Sequence, residues 1–239
     1  MKRAVPEKYR FLSGSALKTA AMVMMIIDHT AAVFFQDSAV LLFTVFGYKM
    51  TLYNLMRFIG RLSFPLFAFL LAEGFIHTSS RRNYGLRLLL FALISQPAWS
   101  LEHTGTLFYG SLNVFFTLFL GFLTLCAVDR LKEKPLSMTL VLLAVAVFSM
   151  TIPIDYKIFG VCLITVMYML ASYPPVRALV GCALLPSKWI GALAFIPIAF
   201  YNGKRGFIRG KALQYLFYAI YPLHMLLFYL LKYLIIKDY

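Results

Sequence analysis

Residues 18–29 read KTAAMVMMIIDH, an almost unbroken apolar run with a lysine at one end and an aspartate and a histidine at the other. A run of this hydropathy is typical of a membrane-spanning helix, in which charged side chains are costly. We therefore expect Lys18, Asp28 and His29 to be paired or functional.

The rest of the chain has the same apolar character. Of its 239 residues, 62% are hydrophobic and 13% are charged, whereas soluble domains are about 45–50% apolar and about 25% charged. The apolar runs indicate an all-α, polytopic integral membrane helix bundle. No repeat, linker or low-complexity tract divides the chain, so we treat residues 1–239 as one membrane domain.

The apolar runs predict about nine spans, of which the seventh and eighth are short enough to be tilted, broken or re-entrant. Ala39–Phe46 is too short to cross and is predicted to be interfacial or re-entrant. Pro65 is expected to kink the second span. The predicted spans are 16–35, 53–77, 84–101, 112–129, 136–153, 158–173, 175–186, 188–201 and 212–236.

The net charge of +14 comes from short Lys and Arg clusters between apolar runs. Such clusters are typical of topology signals and contacts to anionic lipids, and no hydrophilic domain remains to bind nucleic acid. The loops around Asp37, His103 and Asp155 are poor in basic residues, so the positive-inside rule predicts a cytoplasmic N-terminus. Nine spans would place the C-terminus outside.

The cysteines indicate neither a disulfide framework nor a metal site. Cys126, Cys162 and Cys182 lie inside apolar segments without ligand spacing and are interpreted as small buried hydrophobic residues. No metal is predicted. The first apolar run lacks a convincing cleavage site, so we expect this helix to remain in the mature protein.

Lys18 and His29 are eleven residues apart, a step that places them on one helical face about 16 Å apart. Met22 and Met25 lie on or near that face. Two interpretations are open: the methionines line a path for an acyl or pantetheine-like chain, or they only pack against neighbouring helices. A neutral imidazole is the natural general base near neutral pH. We therefore predict His29 as the catalytic base and Lys18 as a lining residue on the cytoplasmic approach.

Asp28 points about 100° away from His29, so the two neighbours do not act as a dyad. In NLMRFIGRLSFPLF, Arg57 and Arg61 are four residues apart and share the outer half of the membrane with Asp28. An ion pair between Asp28 and one arginine would neutralise a buried charge. The alternative is that Asp28, Arg57 and Arg61 take part in catalysis, with the two arginines setting the electrostatics of the reaction centre.

Two other polar residues lie at membrane depth. Glu73 is near the cytoplasmic end of the second span, where an ion pair with Lys18 is expected, and Asn113 is at the outer end of the fourth span.

FYNGKRGFIRGK, residues 200–211, is a basic loop with three glycines. Its backbone amides and cations could bind the phosphates of a nucleotide-bearing donor, or the charges could be topology signals alone. His224 follows in AIYPLHMLLFY and is placed at the cytoplasmic opening of the last span. The predicted donor-binding residues are Tyr201, Asn202, Lys204, Arg205 and His224.

Several stretches resemble the TraX family, named for a conjugal transfer protein associated with N-terminal acetylation of pilin. The matching stretches are SGSALKTAAMVMMIIDH, YNLMRFIGRLSFPLFAFLLAEGF, RLLLFALISQPAW, LNVFFTLFLG, FYNGKRG and FYAIYPLHMLLFYLL. The chain is also distantly similar to the larger transmembrane acyltransferases, whose first helix has a basic or polar residue, ten intervening positions and a catalytic histidine. Lys18 and His29 match these positions, while Arg57 and Arg61 are spaced by four rather than three.

This resemblance implies an acyltransferase-like fold and acyl transfer from a cytoplasmic acyl-CoA, specifically acetyl-CoA. The acceptor would be an amine or hydroxyl in or across the membrane, as the pilin N-terminus is for the family's namesake. The expected partners are membrane lipids, the acyl-CoA and an unidentified acceptor, with a homodimer left open. The alternatives are a proton-coupled transporter or lipid-handling protein that uses the buried charges, and a non-enzymatic assembly factor.

Overall fold

The computed structural model describes residues 5–36, 40–45, 48–185 and 188–233, and these residues are predominantly helical. A short 3-10 turn, Glu7–Tyr9, precedes the first helix, and a two-stranded hairpin follows it. The helices and strands are α1 (Gly14–Phe34), β1 (Leu41–Val45), β2 (Tyr48–Thr51), α2 (Leu52–Gly60), α3 (Ser63–His77), α4 (Arg81–Thr104), α5 (Val114–Leu131), α6 (Pro135–Thr151), α7 (Lys157–Met169), α8 (Pro174–Leu184), α9 (Lys188–Ala192), α10 (Phe195–Ala199) and α11 (Lys211–Leu231).

Helix α1 forms because its apolar run contains no proline and begins at a capping serine. The Ser13 Oγ accepts a hydrogen bond from the Ala16 N–H at 3.2 Å, which satisfies one of the free N–H groups of the first turn. The helix buries Leu17, Ala21 and Met25 against its neighbours. It packs against α2, α3 and α11.

The second predicted span is interrupted at Arg61 and Leu62, which divide it into α2 and α3. α2 ends at Gly60 and α3 begins at Ser63, so the break comes before Pro65. A proline ring clashes with the carbonyl four residues earlier, here that of Arg61, and cannot continue a helix across that position. At the third position of α3, Pro65 costs no internal hydrogen bond because an N–H there would have no intrahelical partner.

The structure contains helices of the length and composition expected of an integral membrane protein. Four segments are long and apolar enough to cross a bilayer: Gly14–Phe34, Leu52–His77, Val114–Leu131 and Lys211–Leu231. Shorter apolar helices accompany them. One face of α6 exposes Leu136, Leu140, Leu143 and Val147 at 59–74% of their surface. These residues recur at helical spacing, as expected of a face in contact with lipid tails.

The structure gives specific forms to two of the predicted segments. Within Ala39–Phe46, residues Leu41–Val45 form β1, which pairs with β2 in an antiparallel hairpin, while Ala39, Phe46 and the loop residue Asp37 lie outside the described residues. The predicted span 188–201 is broken into α9 and α10, which is one of the forms expected for it.

Candidate functional site

A central cavity of about 760 Å³ lies between α1, α3, α4, α5, α11 and the loop that precedes α11. One end is lined by exposed residues, including His77, Asn83, Arg205 and Lys211. We call this end the mouth. The other end, which we call the closed end, is lined by buried residues, including Ser63, Phe64, Phe115 and Tyr221. A molecule that enters at the mouth can therefore reach deep into the bundle.

One face of α1 forms a wall of this cavity along its length. Lys18, Met22, Met25 and His29 all line it, Lys18 at the mouth and His29 at the closed end. The predicted shared face is confirmed, and the helical rise places its two ends about 16 Å apart. The two methionines form a flexible apolar surface between a cation and an imidazole.

His29 is paired with a second histidine. Its Nδ1 lies 2.6 Å from the Nε2 of His224, and the Nδ1 of His224 lies 2.9 Å from the Ile220 carbonyl oxygen. His224 is 7% exposed and is not among the residues that line the cavity. Its predicted placement at the cytoplasmic opening was wrong, because α11 begins at Lys211 and thirteen residues of helix carry His224 about 20 Å inward.

Asp28 forms the predicted ion pair, and its partner is Arg57. The Arg57 Nη1 donates to the Asp28 Oδ2 at 2.7 Å, with the two side chains 23% and 18% exposed. The ion pair forms because α2 packs very closely on α1. Gly60 permits this approach, since a Cβ atom at that position would overlap the Asp28 carboxylate. Arg61 follows the end of α2, is exposed and does not line the cavity. Of the two arginines that the sequence left open as partners, Arg57 is therefore the one paired with Asp28.

The mouth concentrates basic side chains. Lys18, Arg87, Arg205 and Lys211 line it together with aromatic and hydroxyl groups. The Lys18 Nζ lies 4.8 Å from the ring centre of Tyr218, a cation–π contact. The predicted ion pair of Lys18 with Glu73 is absent.

Glu73 has another partner. It lines the cavity and lies 3.6 Å from the Nε2 of His77, one helical turn away.

The basic loop is held in place by the start of α1. The Gly14 and Ser15 N–H groups donate to the carbonyl oxygens of Lys204 and Arg205, both at 2.8 Å, and the Ser15 Oγ donates to the Arg205 carbonyl at 2.7 Å. These N–H groups would otherwise lack partners at the helix start. Both side chains are exposed, but the Arg205 side chain lines the mouth and the Lys204 side chain does not.

Two other predicted donor-binding residues have structural contacts. The Asn202 Oδ1 accepts from the Lys204 N–H at 2.8 Å, and Asn202 is not a lining residue. Tyr201 lines the cavity, packs its ring edge-on against Phe69 and pairs with Leu12 in a parallel bridge. Only Tyr201 and Arg205 of the five predicted donor-binding residues line the cavity.

Asn113 stabilises the fold and does not line the cavity. Its Oδ1 accepts from the Phe115 N–H at 3.0 Å, and its Nδ2 donates to the Ala92 carbonyl at 2.8 Å and the Gln96 Oε1 at 2.9 Å. It therefore caps α5 and joins it to α4.

A tight turn between α6 and α7 forms part of the closed end. Asp155 and Tyr156 line the cavity there, and Tyr156 stacks on Phe64 with the ring centres 3.7 Å apart. Tyr156 and Lys157 have positive φ angles of 60° and 42°, which cost free energy in residues other than glycine. The Asp155 Oδ1 accepts from the Tyr156 N–H at 2.9 Å and helps to hold the turn.

Comparison with known proteins places these residues in a family. The family described as TraX protein matches residues 13–232, a range that contains every candidate site residue. The chain belongs to the TraX family. This TraX chain is also 30% identical over 247 residues to a probable fimbrial assembly protein FimC, serogroup H1, from Dichelobacter nodosus, covering 90% of this chain and 93% of that protein. No solved structure matches the TraX chain significantly.

The sequence interpretation of this TraX chain missed several lining residues: Tyr84, Arg87, Asp155, Tyr156, Tyr218 and Tyr221. Arg87 was interpreted only as a topology charge. Arg87 lies inside α4, six residues after Arg81, and not in the loop before the helix. Its position within the helix was the signal that could have marked it as a cavity residue. The tyrosines gave no signal because aromatic residues are abundant throughout the chain, at 17%.

No metal centre is found in the described part of the TraX chain, where no group of three or more His, Cys, Asp or Glu residues lies close enough to hold an ion. Cys126, Cys162 and Cys182 are free thiols in half-buried positions.

Asp155 gives the TraX chain a pH-dependent stability that can be measured. Burial raises the pKa of its carboxyl from 3.8 to about 6, against the opposing hydrogen bond from the Tyr156 N–H. The folded protein therefore holds this proton more tightly than the unfolded chain, and between these two pKa values stability falls as pH rises. His103, Arg61 and Asp28 supply the other nearby charges.

Replacing Asp155 by asparagine is expected to remove this loss, since asparagine keeps an acceptor oxygen for the Tyr156 N–H. The variant should match wild type near pH 4 and exceed it by up to about 3 kcal/mol above pH 6. Thermal unfolding in detergent micelles across this range measures the difference, with Glu133→Gln, an exposed carboxylate, as the matched control. A difference that does not change with pH would contradict the assignment.

Proposed function

We propose that this chain is an integral-membrane acyltransferase that accepts acetyl-CoA at the cavity mouth and uses His29 as the general base at the closed end. The observation that carries the proposal is one continuous cavity with cations at its open end and an imidazole about 16 Å further along the same helix face. A long donor with anionic phosphates and a terminal thioester fits this arrangement of charge and length.

A buried N–H group without a hydrogen-bond partner supports the proposed acetyl-CoA site at the mouth. Arg87 lines the mouth, and its Nε is buried without a hydrogen-bond partner among the described residues. Leaving such a group unsatisfied costs free energy that an anionic ligand would recover. Arg205 and Lys211 line the same mouth and supply further cations for phosphate oxygens. The methionines of α1 then border the flexible arm that carries the acyl group.

The chemistry follows from the position of His29. The acceptor's nitrogen or oxygen attacks the thioester carbonyl carbon, and the His29 Nε2 takes the proton that this atom loses. The carbon–sulfur bond breaks, and the CoA sulfur leaves with its electron pair. The proton then passes from His29 to that sulfur, so CoA thiol and acylated acceptor are formed and His29 is neutral again.

The acceptor we propose is an amine or hydroxyl of a pilin or fimbrial subunit. The support is the family membership and the name of the Dichelobacter nodosus relative, a probable fimbrial assembly protein. This acceptor would meet the donor at the closed end, where His29, Asp28 and Asp155 line the cavity.

The proposal also includes an orientation in the bacterial inner membrane. The cationic mouth faces the cytoplasm, where acyl-CoA is made, and the distribution of Lys and Arg supports this orientation. About nine crossings, made by the four long segments, the four shorter apolar helices and α4, would give an acyltransferase-like bundle with a cytoplasmic N-terminus.

Adjacent residues of the basic loop provide a matched test of the donor site. Arg205 lines the mouth and Lys204 does not, although both are exposed cations. Arg205→Gln is expected to weaken CoA binding about 10-fold or more, the effect of losing a hydrogen bond to a charged group. Lys204→Gln should change it less than about twofold. Calorimetric titration of the purified protein with CoA measures both, and equal effects, or no saturable binding to wild type, would contradict the proposed site.

A further inference from the structure

The pairing of His29 with His224 constrains the protons on both rings. The two rings are nearly parallel, with centres 4.9 Å apart and an interplanar angle of 10°, and the nitrogens that face each other are 2.6 Å apart. A contact this short requires one proton between the two nitrogens. A neutral imidazole has one N–H and one acceptor nitrogen, so the direction of each hydrogen bond can be deduced.

The Ile220 carbonyl decides that direction. A carbonyl oxygen only accepts, so the His224 Nδ1, 2.9 Å away, must carry the proton. The neutral ring then has a bare Nε2, which accepts from the His29 Nδ1–H. The proton of His29 is therefore on Nδ1, and its Nε2 has a free lone pair. This assignment follows from the hydrogen-bond network rather than from observed hydrogens.

Aromatic rings pack against the pair, while Arg57 and His103 lie near His29 and Glu102 lies near His224. Tyr221 lies edge-on to both rings, at 6.2 Å from His29 and 5.6 Å from His224, and Phe228 lies edge-on to His224 at 5.5 Å. No carboxylate among the described residues forms an ion pair with either histidine. A neutral ring, rather than an aspartate, thus orients His29.

We propose that His224 is a positioning residue that holds His29 in the Nδ1–H tautomer, so that the His29 Nε2 is the base available to the acceptor. His224 does not line the cavity, and its Nε2 contacts the Nδ1 of His29. It therefore acts on the acceptor only through His29. When His29 takes the acceptor's proton on Nε2, its Nδ1–H bond to His224 is kept and His224 neither gains nor loses a proton. This inference rests on the proposed function for its catalytic consequence, whereas the tautomer is a property of the resting protein.

Two variants separate positioning from packing. His224→Phe keeps a buried ring but removes the acceptor, and it should lower kcat about 10- to 100-fold, the rate equivalent of one lost buried hydrogen bond, with the KM for acetyl-CoA within about threefold. His224→Gln offers a side-chain oxygen near the position of Nε2 and should recover most of that loss. His103→Gln is the matched control because His103 packs on Trp99 outside the lining. Equal loss in the two His224 variants, or a change in KM alone, would overturn the positioning role.

The resting tautomer is tested without activity by ¹⁵N NMR of the histidine-labelled protein in detergent micelles. Wild type should show His29 with a protonated Nδ1 and an unprotonated Nε2, and His224→Phe should lose this preference. A His29 that is protonated at Nε2 in wild type would overturn the inference. Absence of acyl transfer by wild type with the expected tautomer would instead reject the proposed function and leave the assigned pairing supported.

Discussion

Replacing His29 by glutamine is expected to lower acyl transfer by about 10²- to 10⁴-fold, the usual contribution of a positioned general base. Glutamine has a similar size and can still occupy the closed end, but it cannot take a proton. CoA binding at the mouth should stay within about twofold, because His29 is about 16 Å from Lys18 along the helix. Transfer of radiolabelled acetyl groups from acetyl-CoA to candidate acceptors measures the rate, and calorimetry measures the binding.

His103→Gln is the matched control for this experiment. His103 stacks on Trp99 with the ring centres 3.7 Å apart and does not line the cavity, so we expect its replacement to leave transfer within about threefold of wild type. Undiminished transfer by His29→Gln would remove His29 from the mechanism. Loss of CoA binding along with transfer would show that the histidine supports the cavity rather than the chemistry.

Replacing Arg57 by leucine is expected to cause the largest loss of stability. The change leaves Asp28 as a half-buried carboxylate without its cation, and breaking a buried pair in this way costs about 3–5 kcal/mol. The effect should fall at the lower end of that range because both side chains keep some exposure, 23% for Arg57 and 18% for Asp28. Thermal unfolding in detergent micelles measures the loss, and Arg61→Leu, which removes an exposed arginine outside the pair, is the matched control.

The double variant Asp28→Asn with Arg57→Leu completes the cycle. It leaves no unpaired charge and should be more stable than Arg57→Leu alone, so the two substitutions should be non-additive by about 1 kcal/mol or more. Additive effects would mean that the pair contributes little to stability. If Arg57→Leu and Arg61→Leu were equally destabilising, the assignment of Arg57 as the partner of Asp28 would be wrong.

The sequence predicted the parts of the fold and site that depend on one continuous helix. The start and end of α1 lie within two residues of the predicted 16–35, and helical periodicity placed Lys18 and His29 on one face because both lie on the same rigid element. Periodicity also separated Asp28 from His29. It could not decide whether Arg57 or Arg61 pairs with Asp28. Helix α2 ends at Gly60, between the two arginines, and only the packing of α2 against α1 determines which of them reaches the carboxylate.

The contacts between distant segments could not be predicted in this way. Pro65 signalled an interruption of the second span, but it did not give the positions at which α2 ends and α3 begins. The last span was predicted to begin at residue 212 and α11 begins at Lys211, so the misplacement of His224 came from the depth assigned to it within the helix and not from the helix boundary. Arg205 and Lys204 have the same charge and are neighbours in sequence, so their different positions arise from the backbone hydrogen bonds that the loop makes with α1.

Those hydrogen bonds have a consequence for the order in which the protein is completed during synthesis. The contacts of Ser15 with Arg205 and of His29 with His224 join residues 190 and 195 positions apart. At about 5–20 residues per second, α1 waits about 10–40 s on the ribosome before these partners exist. Arg57 emerges only 29 residues after Asp28, so the carboxylate is neutralised early while the cavity stays unbuilt. A ribosome that stalls before residue 200 therefore leaves a chain without Arg205 and Lys211 at the cavity mouth and without His224 beside His29.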